Sequence, residues 1–284
     1  MSEFSIGAAW SEAMAFLQRN MTLLLVLVGG SVLLAAIIQT FVFGLSQAAF
    51  QAQMQSAMTS GNMEAFLTTV LPGVAGAGLL GAIIQSTGQF AALRMGLSGE
   101  EDYASALSYG VVAAIVSTLF WVALAFALAV IFGIILAALG AGAVFAGGGG
   151  GGAVGAGMIG MFALVALLLI PLALWLAVRL WVIAPAMADA RSANPLFGLS
   201  QSWRLSAPHQ WTMLGYLILL IIAAIVIFGI LGAIVGFIGA MLGETVGPIL
   251  VAIVTGVPAG ILGLAINAGV YRTLAPRDHG EIFA

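Results

Sequence analysis

The sequence predicts an all-α polytopic membrane protein with six transmembrane helices, and three observations support this prediction. Hydrophobic residues make up 63% of the 284 residues and charged residues only 6%, whereas soluble domains carry roughly 25% charged residues. The mean hydropathy of +1.21 leaves too little polar surface to cover a water-soluble domain. Apolar runs longer than the roughly 20 residues needed to cross the hydrocarbon core recur along the chain. Residues 1–284 are therefore interpreted as a single integral membrane domain.

The first predicted element is an amphipathic helix at residues 2–19 that lies at the membrane surface. Its apolar stripe is Ile6, Trp10, Ala13, Met14 and Leu17. Segment 47–69 is expected to be a loop with a short helix. Residues 140–157, which include six consecutive glycines, are expected to be a flexible loop. The six spans are predicted at residues 21–45, 71–97, 111–139, 158–188, 211–242 and 248–274.

Two further short amphipathic helices are predicted, ahead of the third and fifth spans. Ser98 and Glu101 match a capping box before segment 103–109. Asn194 followed by Pro195 is a typical N-cap and first-turn pair, and it begins a helix that Pro208 should end. Small-xxx-small glycine pairs are expected to let spans five and six approach closely: Gly232/Gly236, Gly239/Gly243 and Gly256/Gly260.

The arginines predict the orientation. All seven basic residues are arginines, and all fall on one side of the six-span arrangement. The positive-inside rule then places both termini and the amphipathic helices in the cytoplasm. The Ala- and Gly-rich, Lys-free composition favours a bacterial source, and hence the bacterial inner membrane. The arginines are Arg19, Arg94, Arg179, Arg191, Arg204, Arg272 and Arg277.

A weak internal repeat divides the chain into units 2–97, 98–190 and 191–275. Each unit opens with two aromatic residues six positions apart, continues with two spans, and closes with an arginine. The pattern indicates three helix hairpins of the same orientation, although any interfacial helix can show aromatics at helical spacing, and both interpretations remain open. The pairs are Phe4/Trp10, Tyr103/Tyr109 and Phe197/Trp203, and the closing residues are Arg94, Arg179 and Arg272.

The residue types argue against several kinds of chemistry. The chain contains no cysteine, so thiol nucleophiles and thiolate metal sites are excluded. Its two histidines have no second ligand at metal spacing. No acidic residue lies within a predicted span, which argues against ion-coupled transport. A Gly-x-Gly-x-x-Gly match at 155–160 lacks the strand–turn–helix context of a dinucleotide site. No enzymatic activity, cofactor or nucleic-acid partner is expected.

Two sets of residues remain as candidate sites. Arg179 is expected to anchor its span at the inner interface or to contact a lipid headgroup, with Asp189 and Arg191 as pairing partners. Four polar residues within spans either form interhelical hydrogen bonds or line a polar interior. The interfacial candidates are Arg94, Arg179, Asp189, Arg191, Trp203, Arg204 and Arg272, and the interior candidates are Gln39, Gln85, Gln89 and Asn267.

The stretch RLWVIAPAMADARSANPLFGLSQSWRLSAPHQW resembles part of the membrane domain associated with glycerophosphoryl diester phosphodiesterases, and of its free-standing bacterial relatives. The resemblance is carried by Arg179, Pro185, Asp189 and the adjacent Ser202 and Trp203. In that family a separate soluble domain performs catalysis. The resemblance therefore implies a membrane module and carries over no active-site residue.

These observations predict a non-enzymatic module of the bacterial inner membrane, which interacts with membrane lipid or with a protein partner at the cytoplasmic face. The alternative hypothesis is a transporter or lipid-handling channel, with a polar interior lined by the second and sixth spans.

Overall fold

The computed structural model describes residues 4–41, 47–60, 68, 71–146, 170–243 and 246–275. These residues are helical almost throughout and include no strand. The helices, labelled in chain order, are α1 (Ile6–Arg19), α2 (Met21–Phe41), α3 (Gln47–Ser60), α4 (Leu71–Ser98), α5 (Tyr103–Ala146), α6 (170–180), α7 (Ile183–Asp189), α8 (Pro195–Ser206), α9 (Gln210–Leu242) and α10 (Val246–Leu274).

Five helices of the described chain are long and apolar enough to cross a membrane, so the protein is membrane-embedded. They are α2, the first part of α5 (Tyr103–Ala127), α6 with α7, α8 with α9, and α10. The segment predicted as the second span forms the helix α4, but α4 is not one of the five, because glutamines and glycines lower its hydropathy. The all-helical class is thus confirmed, together with five of the apolar helices.

The predicted amphipathic segment 103–109 and the third span form one continuous helix, α5, so this segment is not a separate interfacial helix. Gly110 lies where the break between the amphipathic segment and the third span was expected, but the helix continues through it and packs closely against α4 there. A Cβ atom on Gly110 would lie 2.6 Å from the carbonyl oxygen of Thr87 and 3.3 Å from the Ala91 side chain, both in α4. A glycine that permits such close approach does not have to end a helix.

The capping box predicted at Ser98 and Glu101 is wrong. The carboxylate of Asp102 accepts hydrogen bonds from the backbone N–H groups of Ala104 and Ser105, both at 3.1 Å, and so caps α5. The Ser98 hydroxyl instead donates to the Arg94 carbonyl at 2.6 Å, within the last turn of α4. The N-cap predicted at Asn194 is present, with its side-chain oxygen accepting from the Leu196 N–H at 3.0 Å.

α1 packs against α10 rather than standing apart from the bundle. A Cβ atom on Gly269 would lie 2.5 Å from the Ala13 nitrogen and 2.6 Å from the Ala9 carbonyl oxygen, so the two backbones are in direct contact. The buried residues of α1 are Ala9, Ala13 and Phe16. Of the predicted stripe, Ala13 is buried, whereas Ile6 and Trp10 are exposed. Small residues at a helix contact permit this closeness.

Among the predicted glycine pairs, only Gly239 makes the expected contact between spans five and six. Gly256 and Gly260 of α10 lie against Val32 and Val28 of α2, not against span five. Gly239 of α9 does meet α10, through the backbone of Gly247. A Cβ atom added to Gly232 or Gly236 would meet no described atom within 4 Å, so their predicted role in packing is not observed.

Candidate functional site at the arginine-bearing end

Hydrogen bonds between distant residues bring several helix ends together at one end of the bundle. The Tyr109 hydroxyl of α5 donates to the Ser192 carbonyl at 3.1 Å. The Tyr271 hydroxyl of α10 donates to the Asp189 carboxylate at 2.7 Å. Arg272 donates to the Gly96 carbonyl, at the end of α4, at 3.0 Å. All six arginines of the described chain lie at or near the helix ends gathered here, which we call the arginine-bearing end.

The predicted fourth span is interrupted at Trp181 and Val182, between α6 and α7. Such a break leaves backbone groups without their helical partners. The Ser202 hydroxyl of α8, which is fully buried, satisfies two of them. It donates to the Arg179 carbonyl at 2.7 Å and accepts from the Val182 N–H at 3.3 Å. The side chain of one helix therefore completes the hydrogen bonding of another.

Arg179 is the most buried cation described, with 8% of its surface exposed. Its guanidinium donates to the Trp203 carbonyl at 3.2 Å and to the Gln210 side-chain oxygen at 2.8 Å. It also lies over the rings of Trp175 and Trp203, at 5.3 and 4.9 Å from their centroids. Cation–π contacts of this kind stabilise by up to about 2 kcal/mol when desolvated. Arg179 thus joins α6 to α8 and α9.

The predicted pairing of Arg179 with Asp189 or Arg191 is wrong. Asp189 accepts from Tyr271 instead. Ten positions along the chain separate Arg179 from Asp189. The break after α6 directs α7 into the interior, where Pro185, Met187 and Ala188 are buried. Asp189, at the end of α7, is consequently placed next to Tyr271 of α10.

Each of the three arginines that close the predicted repeat units lies over an aromatic ring. Arg94 lies 4.8 Å from the Tyr109 centroid and forms an ion pair with Glu100 at 3.0 Å. Arg272 lies 5.2 Å from the Phe16 centroid. With Arg179 on Trp203, each arginine contacts the helix that opens the following unit, and the last arginine contacts the helix that opens the first. The third ring is Phe16, not the Trp10 that the aromatic pairs would suggest.

The helix packing follows the same cyclic order. The α5 helix meets α4 at Gly110, and α1 meets α10 at Gly269. The α8 helix meets α7 at Gly198, where a Cβ atom would lie 2.6 Å from the Met187 side chain. In every case a helix that opens one unit lies against the helix that closes the unit before it.

The other interfacial candidates are exposed. Arg204 donates to the Gln201 side chain at 2.7 Å, and 41% of Trp203 is accessible. Arg191 ends α7 with a left-handed backbone, φ 53°. Its N–H donates to the Ala188 carbonyl at 3.2 Å, and the next N–H, of Ser192, donates to the Met187 carbonyl at 2.9 Å. This is a Schellman motif, in which glycine usually occupies the position of Arg191.

The four interior candidates do not form one described site. Gln39 of α2 lies against Gly81 of α4. Gln85 shares the face of α4 that carries Gly81, so it belongs to the same α2–α4 contact, and Gln89 follows one turn later. The side-chain oxygen of Asn267, in α10, is buried without a hydrogen-bond partner among the described residues.

The described part of the chain contains no cluster of three or more potential metal ligands. No family model, curated protein or solved structure matches the chain. Its function is therefore inferred from the residues and their contacts.

The sequence patterns did not identify Phe16, Tyr271 or Gln210 as participants in this end of the bundle. Tyr109 carried a signal as a member of an aromatic pair, and Ser202 as part of the family resemblance.

Proposed function

We propose that the protein is a non-enzymatic module of the bacterial inner membrane, built from three helix-hairpin units that close in a ring. Its arginine-bearing end faces the cytoplasm and interacts with lipid headgroups or with a partner protein. The observation that carries the proposal is the cyclic set of contacts from Arg94, Arg179 and Arg272 to aromatic rings of the following units. These contacts hold the three units together at one membrane face. Such an arrangement supports a module that presents a rigid surface to lipid or to a partner protein.

The proposal includes α4 as a sixth span. The end of α4 lies beside the end of α10, through Arg272 and Gly96, and α5 begins again at the same end. Gln85 is half-buried, on the face of α4 that carries Gly81, where Gln39 of α2 packs. The low hydropathy of α4 is compatible with a span for this reason, since polar residues in membranes face other helices.

Exposed aromatic residues at the same end support contact with the membrane interface. Trp10, Tyr103 and Trp203, one on the opening helix of each unit, are 44%, 48% and 41% exposed. Tryptophan and tyrosine are enriched at membrane–water interfaces, where the ring meets the headgroup level. The resemblance to the phosphodiesterase-associated membrane domain supports a module without its own catalysis.

The direct test is to identify what remains bound to the full chain purified in a mild detergent. Mass spectrometry of the preparation should find retained phospholipid or one stoichiometric protein. The matched comparison is a Trp10→Ala/Tyr103→Ala variant, which should retain less of either at unchanged helical content. Wild-type protein that retains neither would overturn the proposal.

The transporter or lipid-handling channel remains the second candidate, because the buried side-chain oxygen of Asn267 lacks a described partner. Single cysteines at Gln85 and Asn267 distinguish the two, in a chain with no native cysteine. A thiol must ionise in water to react. A packed module should therefore be labelled slowly there by a membrane-impermeant reagent, and quickly at Trp10, Tyr103 or Trp203. Rapid labelling at both Gln85 and Asn267 would favour the transporter.

A further inference from the structure

We infer that Arg191, Trp203 and Arg204, which are exposed at the end of α7 and on α8, bind the headgroups of anionic phospholipids, and that Arg191 makes the principal contact. The inference rests on the proposed function and deepens it, because it names the class of lipid and the side chains that recognise it.

The structure divides the predicted interfacial residues into two groups. Arg94, Arg179 and Arg272 are engaged by aromatic rings and by oxygen acceptors within the protein. Arg191 and Arg204 instead lie on the surface, and the partner of Arg204 is the neutral side chain of Gln201. Their positive charges are thus available for a ligand, whereas the other three bind the helices together.

The backbone of Arg191 is the second observation. A left-handed conformation is unfavourable for residues with a Cβ atom, and glycine normally takes this position of a Schellman motif. After α4, Gly99 adopts a similar conformation, φ 66°. The Arg191 side chain forms no hydrogen bond or ion pair with any described residue to offset the strain. Strained residues of this kind concentrate at functional sites.

The surroundings of Arg191 favour a lipid phosphate as the ligand. Asp189, the carboxylate nearest in sequence, is occupied by Tyr271. The helix that follows, α8, exposes 62% of Leu196 at its start and 41% of Trp203 near its end. Cationic groups beside an exposed apolar surface match the boundary between phosphate and acyl chain. A guanidinium forms paired hydrogen bonds with phosphate oxygens. An anionic phospholipid can pair its phosphate with the arginine and cover the apolar surface with its acyl chains.

The experiment measures the thermal midpoint of the full chain in detergent, with dioleoyl-phosphatidylglycerol or dioleoyl-phosphatidylcholine added over a range of concentrations. Wild-type protein should be stabilised more by the anionic lipid. Arg191→Gly should weaken the apparent affinity for phosphatidylglycerol roughly fivefold, the factor that corresponds to ~1 kcal/mol for one basic residue near an anionic surface. The same variant should raise the lipid-free midpoint by about 1–2 °C, because relief of strain exceeds the added chain entropy of glycine.

Two control variants separate charge from backbone effects. Arg191→Lys keeps the charge and the strain, so it should retain most of the lipid response and leave the lipid-free midpoint unchanged. Gly99→Ala introduces strain at the corresponding turn, so it should lower the lipid-free midpoint by about 2 °C and leave the lipid response intact.

The outcomes distinguish this inference from the proposed function. If wild-type protein responds to phosphatidylglycerol but Arg191→Gly responds equally, the role of Arg191 is refuted and the proposed function stands. If Arg191→Gly loses a co-purifying protein instead of the lipid response, the ligand is an acidic partner and the lipid inference is refuted. If wild-type protein retains neither lipid nor partner and shows no lipid response, the proposed function fails as well.

Discussion

Removing the Ser202 hydroxyl should destabilise the protein far more than removing a comparable hydroxyl on the same helix. In Ser202→Ala the Val182 N–H and the Arg179 carbonyl lose their partner at the break between α6 and α7. Both groups lie beside a fully buried side chain, where water cannot replace it easily. An unsatisfied buried polar group costs about 1–3 kcal/mol. We therefore expect a loss of about 2–4 kcal/mol in the free energy of unfolding.

Ser206→Ala is the matched control. Ser206 is also fully buried on α8, but its hydroxyl donates at 3.4 Å to the Trp203 carbonyl of its own helix. Its removal should cost no more than about 1 kcal/mol, the net value of a typical hydrogen bond. Unfolding of both variants in mixed micelles, titrated with a denaturing detergent and followed by circular dichroism, gives the comparison. Equal costs within about 0.5 kcal/mol would refute the idea that Ser202 completes the broken helix.

Three further predictions concern packing, topology and the glycine-rich segment. Gly269→Ala should lower the free energy of unfolding by about 1–3 kcal/mol, because the added methyl group meets the α1 backbone. Gly263→Ala on the same helix meets no described atom and should be nearly neutral in the same titration. Deleting three residues from 147–152, which lie outside the described residues, should leave thermal stability unchanged if the segment is a linker, and a collapse in detergent would show that it is packed. Reporter fusions should be periplasmic at Ser60, Gly150 and Gly243 and cytoplasmic at Gly99, Ala193 and Ala284, and one reversed pair would contradict the six-span topology.

Features that depend on neighbouring residues were predictable from the sequence. The apolar runs predict membrane helices because hydrocarbon leaves the backbone no partner outside its own segment. The N-cap at Asn194 was likewise predictable, since its side chain needs only the N–H two residues ahead. The cap of α5 was not, because three polar residues compete within one turn. The Ser98 hydroxyl donates to the Arg94 carbonyl within α4, Gly99 follows in a left-handed conformation, and Asp102 caps α5.

The sequence could indicate which residues make structural contacts, but it could not identify their partners. Arg179 was predicted to matter because a charge in a span is costly, yet its partners belong to Trp203 and Gln210, in other helices. The glycines at 256 and 260 were predicted to pack closely, and they do, but against α2. The spacing of small residues predicts which face of a helix can pack closely. It does not predict which neighbouring helix packs there.

By itself, therefore, the sequence determined the membrane-embedded helical class, the approximate positions of the helices and the clustering of arginines, because each depends on composition or on residues within a few turns. The tertiary structure alone decided that Arg272 reaches Gly96, 176 residues earlier, and that Tyr109 reaches Ser192. It also decided that the last unit contacts the first through Phe16. Such contacts follow from the packing of whole helices, whose small residues allow several alternative neighbours, and only the simultaneous burial of all the helices selects one arrangement.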